Sequence, residues 1–115
     1  ITYGDRRHVF VSGTASIDRY GEIVHPGDVI KQSERMIENI TALLNEAGAD
    51  LNDIMQAIVY IRDTADFARV EQYMKANHPD IPYLIVRAPV CRPGWLVEIE
   101  CIAVVAVDEP EYPSL

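Results

Sequence analysis

Hydrophobic and polar positions alternate along parts of this chain and recur every three to four residues along others. HVFVSGTAS (8–16) alternates and is rich in β-branched residues. GEIVH (21–25) follows after the turn residues Asp18 to Gly21, and the pair predicts a β-hairpin. Pro26 and Gly27 break that pattern, and Asp28 can cap a helix starting there. Ile37, Ile40, Leu44 and Ala47, flanked by Met36 and Leu43, mark one helical face, with Gly48 as the stop. MQAIVYIRD (55–63) predicts a strand, and Asp63 with Asp66 an acidic helix start. Phe67, Val70 and Met74 stripe that second helix, which Pro79 ends. YLIVRAPVC (83–91) predicts a further strand, interrupted at Pro89, and residues 96–106 a last one. The order is β-β-α-β-α-β-β: an α+β fold with two helices on one face of a sheet. A single domain spans 1–107, and DEPEYPSL (108–115) is expected to be a flexible tail.

Side chains alternate across a strand, so each strand has two readable faces. In the last strand Val97, Ile99, Cys101, Ala103 and Val105 share a wholly apolar face, assigned to the helices. Leu96, Glu98, Glu100, Ile102 and Val104 lie opposite. The same split puts Met55, Ala57, Val59 and Ile61 under the helices, with Gln56, Ile58, Tyr60 and Arg62 on the far side. Val9 and Val11 point inward in the first strand, and His8, Phe10 and Ser12 outward. A buried, unpaired carboxylate costs several kcal/mol in order of magnitude. Two glutamates within an apolar strand therefore need an explanation. One is an ordinary solvated sheet face. The preferred one is a face on which copies of the chain meet, with pockets between subunits.

Composition narrows the function classes. At 115 residues with 49% hydrophobic content, the chain supports one folded core. A net charge of −8, with ten scattered Lys and Arg, argues against nucleic acid as a partner. No apolar run reaches the length of a membrane span, about 18 residues, and no signal-peptide pattern opens the chain. Cys91 and Cys101 fit neither a metal pair nor a disulfide framework, which points to a reducing cytoplasm. The scattered His8, His25 and His78 offer no metal-ligand spacing, and no cofactor motif is present. The chain starts at Ile1, directly in dense sequence, as a piece of a longer protein would.

VFVSGTASID (9–18), SERMIENITALLNEAGADLNDI (33–54), IVYIRDTADFARVEQYM (58–74) and LVEIECIAV (96–104) together resemble the YjgF/Rid superfamily. That resemblance implies a chorismate-mutase-like fold, a homotrimer and a cleft for a small carboxylated metabolite at each subunit interface. It places Gly13 on the cleft wall and gives Glu98, in the closing V-E-I-E motif, a role in holding the attacking water of imine deaminases. The family's substrate-binding arginine belongs to a P-x-R pattern, where this chain has Pro82, Tyr83 and Leu84. Tyr and Leu cannot supply a bidentate guanidinium clamp. YGDRRHVFVSGTASID and RAPVCRPGWLVEIE resemble more closely the carboxy-terminal half of the chorismatases, which split chorismate into pyruvate and a ring acid. This second resemblance makes Glu98 the proton donor. It makes Cys91, with Ala15 as its small partner, the residue tuning product type.

The candidate site therefore comprises catalytic Glu98 and substrate-binding Gly13, Thr14, Ala15, Arg87, Cys91 and Arg92. Burial beside Leu96, Val97 and Ile99 would raise the Glu98 pKa and keep a transferable proton near neutrality. The competing reading pairs Glu98 structurally with Arg62 or Arg92. Arg87 and Arg92 are candidates for a substrate carboxylate, and Trp95 for capping the pocket or packing between subunits. Cys91 has no histidine at a recognisable spacing, which favours a small cleft-lining residue over a nucleophile. Three functions stay open: a chorismatase-like domain, an imine deaminase with Arg87 or Arg92 as the clamp, and a non-catalytic metabolite-binding trimer.

Overall fold

Three segments alternate with the two-residue period that buries one face, and two more carry the apolar stripe of a packed helix. The computed structural model describes every residue, Ile1–Leu115, and joins these segments around one core. Strand β1 (Arg6–Ala15) leads to helix α1 (Val29–Glu46), and β2 (Ile54–Ile61) to α2 (Phe67–Asn77). Strands β3 (Tyr83–Arg87) and β4 (Val97–Ala106) complete the sheet. Its order is β1-β4-β2-β3, with β3 parallel to β2 and the other two pairs antiparallel. Two helices on a four-stranded mixed sheet make this an α+β fold.

Helix α1 starts where Asp28 Oδ1 accepts the Lys31 N–H at 3.0 Å, a cap worth about 1 kcal/mol. It ends before Gly48, whose φ of 79° is a left-handed conformation that favours glycine. Met36, Ile40 and Leu44, one turn apart, are fully buried against the sheet. Asp63 caps a short 3-10 turn (Thr64–Asp66) ahead of α2, and Val70 and Met74 of α2 join the same core. From β4, Val97, Ile99, Cys101 and Ala103 enter it. Glu98, Glu100, Ile102 and Val104 are half-buried on the opposite face, as the alternation requires. No helix is long and apolar enough to cross a membrane.

Two local expectations are corrected. The segment expected as the hairpin's second strand makes only one bridge, Ile17 to Ile23. Two backbone bonds flank it, Asp18 N–H to Glu22 O and Val24 N–H to Ser16 O, and side chains tie the end of β1 to the rest of the fold. Asn39 donates to Ala15 O and Ile17 O, and the Trp95 indole donates to Ser16 O at 3.2 Å. His25, at φ 59° and followed by Pro26, then turns the chain out of the sheet. Met55 was expected under the helices but is 60% exposed, while Ile54 is buried. A β-bulge between Ile54 and Gln56 shifts the register and turns Met55 out. The end of the chain bonds back to its start. Val107 N–H donates to Asp5 O, Glu109 N–H to Gly4 O, and Gly4 N–H to Pro113 O.

Candidate functional site

The uncovered face of the sheet brings residues of three strands together. In register, β4 Glu98 lies between Ala15 of β1 and Tyr60 of β2, and Glu100 lies beside Ile58. A second bulge interrupts β1 between Val11 and Thr14, leaving Ser12 and Gly13 outside the regular pairing. A Cβ built on Gly13 would collide with Glu98 Oε1 and come within 3.0 Å of its Cδ. The absent side chain is what lets the carboxyl lie against β1.

Glu98 makes no ion pair and accepts no hydrogen bond within the chain. Desolvation by burial raises its pKa above the usual glutamate range, and the nearby negative charge of Glu100 adds to the rise. Glu100 is held differently, because the Tyr60 hydroxyl donates to its Oε1. That bond, burial, and the charges of both glutamates raise the Tyr60 pKa in turn. Two carboxyls on one strand therefore have unlike surroundings: one bonded, one free.

Neither arginine offered as a structural partner pairs with Glu98. Arg62 spends its guanidinium on backbone carbonyls, at 3.0 Å to Trp95 O, 2.6 Å to Val90 O and 2.7 Å to Arg92 O. Arg92 donates to Gly21 O at 2.7 Å and lies over the Trp95 ring. The fully buried Gln32 donates to His25 O and Gly94 O and accepts the Leu96 N–H. Arg62, Arg92 and Gln32 together fasten the loop between β3 and β4. Its Cys91 is exposed, with a free thiol. Cys101, by contrast, is buried in the core, where desolvation pushes its thiol up to about 11.

The candidate residues thus divide among neighbouring surfaces. Gly13 and Glu98 touch. Gly13, Thr14 and Ala15 line an open groove of about 500 Å³ that runs to Asn39, Leu43 and Trp95. Arg87 has no hydrogen-bond or salt-bridge partner in the chain and borders a depression of about 410 Å³ with Arg62, Thr64 and Leu96. Leu84, at the P-x-R position, is 68% exposed on the edge strand β3. Phe10, at 58%, is also exposed, and the half-buried Ile58 and Ile102 lie near it around a shallow depression. No group of three His, Cys, Asp or Glu side chains is placed to hold a metal ion.

Sequence reasoning missed the roles of Tyr60 and Gln32. Gln32 falls at the same four-residue spacing as Met36, Ile40 and Leu44, and a polar residue in an apolar stripe signals a buried bonding role. Tyr60 lies on the glutamates' face of β2 in register with Glu98, but only its hydrogen bond shows that the hydroxyl reaches Glu100.

Comparison with known proteins gives a consistent picture. The sequence profile of the family described as Endoribonuclease L-PSP matches residues 3–105. A RutC family protein of Pyrococcus abyssi is 41% identical over 98 residues, which is 83% of this chain and 76% of that protein. The 3-aminoacrylate deaminase RutC of Acinetobacter baylyi is 30% identical over 97 residues, 83% of this chain and 77% of that protein. Among solved structures, RidA from an Antarctic Psychrobacter species superposes with a TM-score of 0.77 at 30% identity, covering 91% of this chain and 85% of that one.

Proposed function

The chain belongs to the endoribonuclease L-PSP family, the YjgF/Rid proteins, and on that premise we propose that it hydrolyses a small enamine or imine acid. The observation that carries this reading is the Glu98 carboxyl. It rests on Gly13, has no partner within the chain and is biased toward its protonated form. A protonated Glu98 donates its proton to the enamine carbon, leaving an iminium ion. The resulting carboxylate takes a proton from the water that attacks the iminium carbon. Collapse of the carbinolamine expels ammonia and leaves a carbonyl, so the sum is enamine plus water to carbonyl plus ammonia.

No arginine of the same chain anchors the substrate carboxylate beside Glu98. The guanidiniums of Arg62 and Arg92 are bound to backbone carbonyls, and Arg87, exposed and unpartnered, is in register with the buried Ile61 on the helix-facing side of the sheet, away from Glu98. In this reading the anchor comes from a further copy of the chain. Far-face residues such as Phe10, Leu84 and Ile102 are offered to further copies of the chain, and a homotrimer would close the site above Glu98. The likeness to a protein named 3-aminoacrylate deaminase supports deamination. The chorismatase resemblance draws no such support from the relatives compared, and the cleavage of chorismate becomes the second reading.

An amino-acid oxidase can generate imino acids in situ, and semicarbazide trapping follows their decay. Added protein should accelerate that decay, and Glu98→Gln should remove the effect. Pyruvate release from chorismate with no effect on imine decay would reverse the order of the two readings.

A further inference from the structure

Gln32 is fully buried in the apolar stripe of α1, and its amide is spent on backbone groups. Its Nε2 donates to Gly94 O at 3.0 Å and to His25 O at 3.1 Å, and its Oε1 accepts the Leu96 N–H at 2.9 Å. The bonds to Gly94 and Leu96 bracket Trp95. Arg62 adds a third, its Nε donating to Trp95 O at 3.0 Å. From another side the indole N–H of Trp95 donates to Ser16 O at 3.2 Å, and the Arg92 guanidinium lies 5.1 Å over its ring. A connecting loop needs none of these side-chain bonds to close. Together they specify where one indole stands.

That indole stands beside the site. Trp95 lines the same groove as Gly13, Thr14, Ala15 and Leu43, and the Glu98 carboxyl rests on Gly13. We propose that Trp95 is the wall that limits the size of the side chain accepted in this groove, and that Gln32 and Arg62 are the positioning residues that hold it rigid. The proposal rests on the reading of Glu98 as the acid and adds what sets substrate size. An uncharged amide both donates and accepts at one buried point. Ionised glutamate of the same length could not donate to Gly94 O and His25 O, and methionine would fill the volume and leave all three bonds unmade. Gly94 lies so close to Ile23 that an added Cβ would collide with its Cδ1, which blocks the loop from shifting that way. A fixed apolar wall discriminates by volume, with roughly 10–200-fold carried by a methylene.

Trp95 is the only tryptophan of the chain, so its fluorescence reports the wall directly. The test measures indole anisotropy and acrylamide quenching in wild type, Gln32→Met and Arg62→Met, with calorimetric binding of pyruvate and phenylpyruvate, the oxo acids that small and large imino acids would yield. Each loop variant, while folded, should show lower anisotropy and faster quenching. Its preference for phenylpyruvate over pyruvate should rise by roughly tenfold, and Trp95→Ala should raise it at least as far. Ile40→Ala, a core change that touches none of these bonds, controls for general destabilisation and should leave both readouts at wild-type values. Trp95→Ala keeps the proposal testable if a loop variant fails to fold. An unmoved indole in a folded loop variant, an unchanged preference in Trp95→Ala, equal shifts in Ile40→Ala, or no binding of either acid by wild type would overturn it. Because neither readout needs turnover, a wild type inactive on imines that shows these shifts would refute deamination and leave the wall intact.

Discussion

The two faces of β4 are built from alternate residues of one strand, and they solve opposite problems. On the helix side, Val97, Ile99, Cys101 and Ala103 are buried members of the hydrophobic core, and packing sets their identities. On the other side, Glu98 and Glu100 are half-buried, and each needs a specific arrangement: a glycine under one, a tyrosine hydroxyl on the other. The first face stabilises the fold and tolerates no gap. The second contributes little to the chain's own core and concentrates the titratable groups. Perturbed carboxyls beside apolar walls mark a working surface more often than a stabilising one.

Substitutions should separate the faces sharply. Ile40→Ala, under the sheet, should cost about 2–5 kcal/mol in denaturant unfolding, because the cavity it leaves is closed on all sides. Gly13→Ala, on the other face, should displace the Glu98 carboxyl and lower imine turnover by roughly 10²-fold. Its melting temperature should shift little, and a loss of stability as large as that of Ile40→Ala would merge the two faces into one core. Phe10→Glu should dissociate a homotrimer at micromolar concentration, read by sedimentation, with the circular dichroism of the folded chain retained. A wild type that sediments as a monomer would remove the closure of the site by further copies.

The smallest effect expected is a slope. Glu98 is raised in the folded state, so the native protein holds this proton at pH values where the unfolded chain has lost it. Stability from this group therefore falls as pH rises from the ordinary glutamate pKa, about 4.3, through its raised folded value. Glu98→Gln should flatten that part of the melting-temperature profile. An unchanged slope would mean that Glu98 titrates alike in both states.

Much of this was legible in the sequence because period and capping are local. Asp28, Gly48 and the alternation in β4 each state their role within a few residues. Met55 failed because a bulge shifts the face of a strand without changing its composition. The second hairpin strand stays short because His25, at φ 59°, and Pro26 turn the chain away after two cross-strand backbone bonds. At the site, Gly13 and Glu98 could be named from their motifs, and the structure brings them into contact. The partners of Arg62 and Arg92 could not be read in advance. A guanidinium binding carbonyls leaves no charge pattern in the sequence, and the loop it fastens lies some 30 residues away from Arg62.

The most direct test of Glu98 as the proton-carrying group is the rate of imine decay for wild type and Glu98→Gln, measured with both melting temperatures. Gln keeps the shape against Gly13 and removes the proton. The account predicts a rate lower by roughly 10²–10⁴-fold at an essentially unchanged melting temperature, measured near neutral pH. A variant that melts normally and still clears imines at the wild-type rate, or one that loses activity only because it unfolds, would contradict it.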